Sequence, residues 1–385
     1  MAQMSCRTTA CLLVLLALPS LADDAPAGDK PPARYPVYVD KKWGYIDERG
    51  QIVIEIKFNH ALDFSEGLAQ VRLDGKYGYI DTQGRWLFDA GTTIDPRPFR
   101  SGVAVIDTEQ GKAIINRTGQ RTEARFALIE DFSEGLAAVG VRPQHPKLDV
   151  EQLLKQETSL EQWGFADTSG ALVIPAKYAA VGSFANGLAP VYVGGRCDRC
   201  QGPLGGKWGY INRQGQLVIE AQFDQARPFS EGLAQVSNNR QRGWIDTTGK
   251  FAIPLRSLSI AGDFHQGFAR IRGTPEGDSG IPGKDPGWRD FGYITKQGKV
   301  FVHSAFDAMA APFVEGLAEA RAKPVWDAEQ ETWIQGLYGY VDLRGEWIIK
   351  PQFTHTNPFR NGLARVQRDG KMLYIDKQGQ VIWPK

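Results

Sequence analysis

Residues 43–50 read WGYIDERG and residues 77–84 read YGYIDTQG. An aromatic-Gly pair followed by Tyr-Ile-Asp-x-x-Gly, repeated at a spacing of 34 residues, decides how the rest of the chain is read. Strong copies follow as WGFADTSG from Trp163, WGYINRQG from Trp208, FGYITKQG from Phe291 and YGYVDLRG from Tyr338. Weaker ones are KAIINRTG from Lys112, RGWIDTTG from Arg242 and MLYIDKQG from Met372, which makes nine.

A second string comes about 21 residues after each copy except the last: FSEGLA from Phe64, FRSGVA from Phe99, FSEGLA from Phe132, FANGLA from Phe184, FSEGLA from Phe229, FHQGFA from Phe264, FVEGLA from Phe313 and FRNGLA from Phe359. Repetition at a fixed period is the mark of an array in which each unit leans on its neighbours. A period of 34 also suits helical tetratricopeptide repeats, so the residues within the period must choose. They choose strands: the segments are short, rich in aromatic and β-branched residues, and bracketed by Gly at spacings a helix would not tolerate.

The expected unit is a three-stranded meander. In the second unit a first strand over residues 68–73 reaches the middle strand through Asp74-Gly75, a tight hairpin signal. After each middle strand, Asp47 and Gly50 in the first unit suit a type I turn closed by Gly at positive φ, returning the chain as a strand over residues 52–55. Residues 35–39 supply the first strand of the first unit, and the last unit ends on residues 381–383. A meander this small cannot bury its own apolar face, so the motif aromatics are core before anything else. Trp43, Trp163 and Trp208, with Tyr77, Tyr338 and Phe291 at the same position, are assigned to packing, the Trp rings against the Gly of an adjacent unit. The Glu of the second string (Glu66, Glu134, Glu231, Glu315) gives way to Ser101, Asn186, Gln266 and Asn361 elsewhere, which suits turn support better than acid–base chemistry.

Two motifs recurring in fixed phase resemble the WG-repeat (KWG) family of bacterial β-repeat proteins, and the resemblance spans residues 35–385. It implies an all-β tandem array of about nine three-stranded meanders and no common activity. For their arrangement we expect an open or superhelical stack, with a propeller-like ring as the alternative, since nine three-stranded units exceed the usual four to eight four-stranded blades.

Residues 1–22 have the form of a secretory signal peptide: Arg7, an uncharged run ACLLVLLALPSLA, and small residues at Ser20 and Ala22. Residues 23–34, DDAPAGDKPPAR, form a polar, Pro-rich leader. The expected destination is the periplasm or the outside of the cell, with no transmembrane segment. With 45 Lys and Arg against 44 Asp and Glu, whole-chain charge makes no case for nucleic acid as partner.

Departures from the minimal period fall in one connector, between the first and middle strands, as insertions over residues 140–162, 194–207, 272–290 and 321–337. If units stack regularly they share a rim, the candidate binding surface. The first insertion, through LDVEQLLKQETSLEQ, suits a short amphipathic helix, and the last carries Trp326 and Trp333, candidate binding residues whose competing role is packing onto the array. The second holds Cys197 and Cys200. An oxidising compartment favours a disulfide between them. A metal site would need further ligands, and a redox pair would need a helix N-terminus. The string GDSG at residues 277–280 imitates a serine-protease nucleophile segment without a matching His segment. The sequence thus indicates no catalytic, cofactor or metal site; it points to a non-catalytic binding or scaffold module for a protein or envelope polymer. The alternative is an envelope hydrolase with an unrecognised site on the loop rim.

Overall fold

A computed structural model describes residues 31–92, 96–109, 111–141, 162–198, 202–273, 291–302, 311–322, 325–327, 332–334 and 336–384. Among these there is no helix, and nine antiparallel sheets of three or four strands follow one another along the chain. The signal-peptide segment, most of the leader, the helix expected in the first insertion and the GDSG string lie outside the described residues.

The second repeat shows why these residues make strands. Leu68–Leu73 pairs antiparallel with Lys76–Asp81, ending at Leu73 opposite Lys76. The two intervening residues, Asp74 and Gly75, have φ of 49° and 83°, the positive pair that a two-residue type I′ hairpin requires. Lys76–Asp81 then turns through residues 81–84 into Trp86–Asp89. In that turn the Asp81 carboxylate accepts the amides of Gln83 and Arg85, both at 3.0 Å, and the Gly84 amide donates to the Asp81 carbonyl. The same arrangement recurs at Asp47, Asn116, Asp167, Asn212, Asp246, Asp342 and Asp376.

The meander expected from sequence is present, with two additions. Outer strands run longer than residues 52–55 suggested, as in Ile52–Phe58, and several sheets gain a two-residue lead-in strand, such as His60–Ala61 beside Leu68–Leu73. The Gly of the aromatic-Gly pair has its partner within its own repeat, contrary to expectation. A Cβ on Gly44 would lie 2.7 Å from the Ile54 carbonyl, and one on Gly209 2.6 Å from that of Ile219, so the outer strand occupies the room an adjacent unit's Trp was expected to fill. The pairing skips at that point, from Trp208 opposite Phe223 to Tyr210 opposite Ile219, and only a bare Cα lets the bulged strand so close.

The residue two places after the Trp position is the buried one. Tyr45, Tyr79, Phe165, Tyr210, Trp244 and Tyr340 are all 0% exposed. Each of the last five meets the Phe of the following second string: Tyr79 and Phe99 ring centres are 4.8 Å apart, Phe165 and Phe184 4.7 Å, Tyr210 and Phe229 5.0 Å, Trp244 and Phe264 5.7 Å, Tyr340 and Phe359 4.8 Å. The polar tips are satisfied in the same direction, Tyr79 donating to the Arg97 carbonyl, Tyr210 to that of Arg227 and Tyr340 to that of Asn357. Each of these five repeats therefore inserts an aromatic into the next, and at Tyr79, Tyr210 and Tyr340 apolar burial and hydrogen bonding act on the same joint.

By contact density the described chain forms two compact units, one of residues 36–44 and 54–229, the other of residues 33–35, 45–53 and 230–385. Within the second unit Tyr35 and the turn at Gly50 meet the last repeat. Tyr35 donates to the Asn361 carbonyl at 2.6 Å, its ring lies 5.7 Å from that of Tyr374, and a Cβ on Gly50 would fall 2.3 Å from the Ile382 carbonyl.

Candidate binding surface

The second string, Phe-x-x-Gly-Leu-Ala, makes a turn at every occurrence. Ser65 and Leu68 exchange both backbone hydrogen bonds, and Glu66 and Gly67 between them sit at φ of 51° and 78°. The paired positive φ values recur at Ser101, Glu134, Asn186, Glu231, Gln266, Glu315 and Asn361, each followed by Gly. Side chains at these positions link one turn to the next. In the first unit Glu66 accepts from the amide of Gly102 at 2.9 Å, Ser101 from Gly135 at 3.0 Å and Glu134 from Gly187 at 3.0 Å. In the second unit Glu231 accepts from Gly267 at 2.9 Å, Gln266 from Gly316 at 2.6 Å and Glu315 from Gly362 at 3.0 Å. The turn-supporting role read from sequence is the observed one.

Sequence reading missed the cations on these turns. Arg117 and Arg213 donate to the Glu66 and Glu134 carbonyls, while Lys296 and Lys377 donate to those of Glu231 and Glu315 and lie 3.1 Å from their carboxylates. All four cations immediately follow the Asn, Thr or Asp that opens the turn after a middle strand. The signal was available: glutamate and neutral residues alternate strictly along the eight turns. Burial opposes ionisation of Glu231, but the Gly267 amide and Lys296 outweigh it and hold the carboxyl below its usual range. These carboxylates are engaged by turn amides, and at Glu66, Glu231 and Glu315 by a cation as well.

The Trp position lies at the edge of the core. Trp43, Trp163, Trp208, Tyr77 and Tyr338 are all half-buried. Trp43 lies 5.0 Å from the Tyr38 ring and Trp208 5.5 Å from that of Tyr192, while Trp163 packs on the apolar cluster of its repeat. Arg72 and Arg321 lie over the Tyr77 and Tyr338 rings at 5.3 and 5.9 Å. Phe291 begins the strand Phe291–Thr295, opposite Arg272.

Two insertions are themselves hairpins. Arg196–Asp198 pairs with Gly202–Leu204, which puts Cys197 opposite Pro203; Cys200 lies outside the described residues. Val325–Asp327 pairs with Thr332–Ile334, and Trp326 stands directly opposite Trp333. Residues seven positions apart in sequence thus become partners in the register of one hairpin. Most of the other two insertions, residues 142–161 and 274–290, lies outside the described residues.

Among the described residues no group of three or more His, Cys, Asp or Glu is arranged to hold a metal ion. Among them there is no helix long and apolar enough to cross a membrane, which says nothing of spanning by strands.

A sequence profile described as WG containing repeat matches residues 43–77, 163–197, 208–240, 243–272, 291–322 and 338–371, together just over half of the chain. No curated protein sequence matches significantly. Among solved structures, the crystal structure of the eukaryotic initiation factor is similar over 91% of this chain and 95% of its own, with 11% identity and a TM-score of 0.54. BamB from Moraxella catarrhalis overlaps 75% of this chain and 90% of its own, at 9% identity and a TM-score of 0.36. At such identities the first likeness is one of fold alone.

Proposed function

The chain belongs to the family of WG-containing repeats, and from that premise we propose that it is an exported, non-catalytic binding or scaffold module for a protein or a cell-envelope polymer. One observation carries this reading: the residues that recur in every repeat are consumed by the fold. The middle-strand aromatics are buried and hydrogen-bonded into the next repeat, and the turn glutamates hold amides and cations. Chemistry specific to this chain is left to the inserted connectors, of which two are hairpins raised between a first and a middle strand.

Export supports the reading from the sequence side, through the apolar run and small residues before Asp23. The test is a crosslinking pulldown of the mature protein from intact cells, repeated with residues 196–204 and 325–334 separately shortened to tight turns. Loss of a defined partner with one shortened hairpin supports the assignment. Capture that survives both deletions overturns it, and N-terminal sequencing that finds residues 1–22 retained overturns the export.

A further inference from the structure

Glu319 stands on the first strand of the eighth repeat, Ala318–Arg321, opposite Tyr340 on the middle strand Tyr338–Val341. At the same register the third and fourth repeats carry Val105 and Ala138, the second and sixth Gln70 and Gln235, the fifth Pro190, and the seventh and ninth Arg270 and Arg365. Of these eight repeats only the eighth places a carboxyl here. Its Oε1 is inaccessible to solvent, and among the described residues it has no hydrogen-bond partner and no cation contributes to the charge state of the carboxyl.

The groups around it come from six strands. Thr356, on the short strand His355–Thr356, offers a hydroxyl, the one group favouring the ionised form; His355 on that strand is exposed. Tyr340 and Tyr293 sense the carboxyl through their phenols, which are committed as donors to the Asn357 and Ala311 carbonyls. Arg270 faces Tyr293, Arg321 lies over Tyr338, and Arg365 stands opposite Tyr374 in the ninth repeat. No guanidinium among the described residues offsets the Glu319 charge. Burial pushes the Glu319 carboxyl up to about 7, the Thr356 hydroxyl opposing.

The position gives this group leverage. Ala318–Arg321 leads into the inserted hairpin that carries Trp326 and Trp333, Tyr338–Val341 returns from it, and the Ala322 amide donates to the Leu337 carbonyl at 2.9 Å between them. We propose that Glu319 is a proton-sensitive latch at the base of the Trp326–Trp333 hairpin: neutral, it lets the eighth repeat close on the ninth; ionised, it is a half-buried charge met only by the Thr356 hydroxyl, and the joint loosens together with the arm. Only the use of the latch rests on the binding reading above, since the latch can be measured without any partner.

The sign follows from linkage. A carboxyl whose folded-state value is raised stabilises the fold fully below the ordinary carboxylate range and loses that contribution as pH rises through about 7. Amide hydrogen exchange of the full chain, corrected for intrinsic rates, should show protection at residues 318–321 and 338–341 falling by about tenfold between pH 6 and pH 8. Protection at Leu233–Asn238, where Gln235 holds the equivalent register, should stay level. Glu319→Gln should flatten the profile. A flat wild-type profile, an equal fall at Leu233–Asn238, or an unchanged fall in the Gln variant overturns the latch; if that variant does not fold, the wild-type comparison decides alone. A flat profile with an arm that still captures a partner sinks the latch and leaves the binding reading standing, whereas a tenfold fall with an arm that captures nothing does the reverse.

Discussion

The carboxylate of Glu134 accepts the amide of Gly187 at 3.0 Å across 53 residues of chain, and Glu66 accepts that of Gly102 at 2.9 Å across 36. The insertion after residue 140 lengthens the chain between the first pair and leaves the contact unchanged. Turn-to-turn bonding is therefore indifferent to what the connector carries, which is how the connectors can diverge while the array keeps its spacing.

Removing one such acceptor should be felt. Glu231→Ala strands the Gly267 amide and Lys296, and should cost about 1–2 kcal/mol, hydrogen bonds to a charged group being worth somewhat more than neutral ones but this one being partly solvated. Glu231→Gln should recover part of the loss, as Gln266 does naturally at its own turn. Urea unfolding of the three proteins checks the order; equal midpoints would show that the turns hold without the side chain.

Tyr210→Ala should destabilise more than Trp208→Ala. Tyr210 is fully buried against Phe229, and truncating such an aromatic costs about 3–5 kcal/mol. Trp208 is half-buried beside Tyr192 and should cost less. Replacing Trp326 and Trp333 together by Ala should leave thermal unfolding almost unmoved, because the minimal repeat folds without that hairpin. A loss there as large as at Tyr210 would make the indoles core and remove the arm's best anchors.

Gly209→Ala should be worse than its size suggests. The new Cβ would lie 2.6 Å from the Ile219 carbonyl, a backbone atom that cannot rotate away, so the penalty should be about 1–3 kcal/mol, as for other overpacking changes. Gly75→Ala, with open space around it but φ of 83°, should cost about 1 kcal/mol for backbone conformation alone. Equal melting temperatures for the two variants would refute the close-approach account.

Acid sensitivity should reside in the turn aspartates. The Thr248 hydroxyl and the amides of Thr248 and Lys250 hold Asp246 below its usual range, burial opposing. A depressed carboxyl contributes stability above its unfolded-state value and loses it as pH falls through the folded-state one. Asp246→Asn, a residue the chain itself uses at positions 116 and 212, should leave urea midpoints near pH 7 almost unaltered and shrink the fall on going to pH 2.5. An unchanged acid fall would place the sensitivity elsewhere.

Cys197 and Cys200 should be oxidised to each other in protein recovered from the export compartment. Alkylation with mass spectrometry reads this directly, and free thiols with stoichiometric zinc would favour a metal site instead.

Much of the fold was legible because each element carries its own local cause. Asp74-Gly75 can hardly form anything but a tight hairpin, and Asp47 with Gly50 announces a turn through its side-chain and positive-φ chemistry. What escaped was relational. Trp43 is the larger and more conspicuous ring, yet Tyr45, two residues further along the same face, is the one the neighbours enclose; size in the sequence does not reveal where along a strand the joint will close. Glu319 escaped for a similar reason, since its surroundings are contributed by three separate repeats.

The alternation of turns has a consequence for how such a chain can change length. Glutamate at one turn calls for a cation from the strand reversal that abuts it, and the neutral turn that follows does not. Cutting out a single repeat would set an acid beside a neutral reversal and a base beside a neutral turn, whereas cutting out two in succession would restore every match. The array has a parity: it can grow or shrink without electrostatic mismatch only in couples.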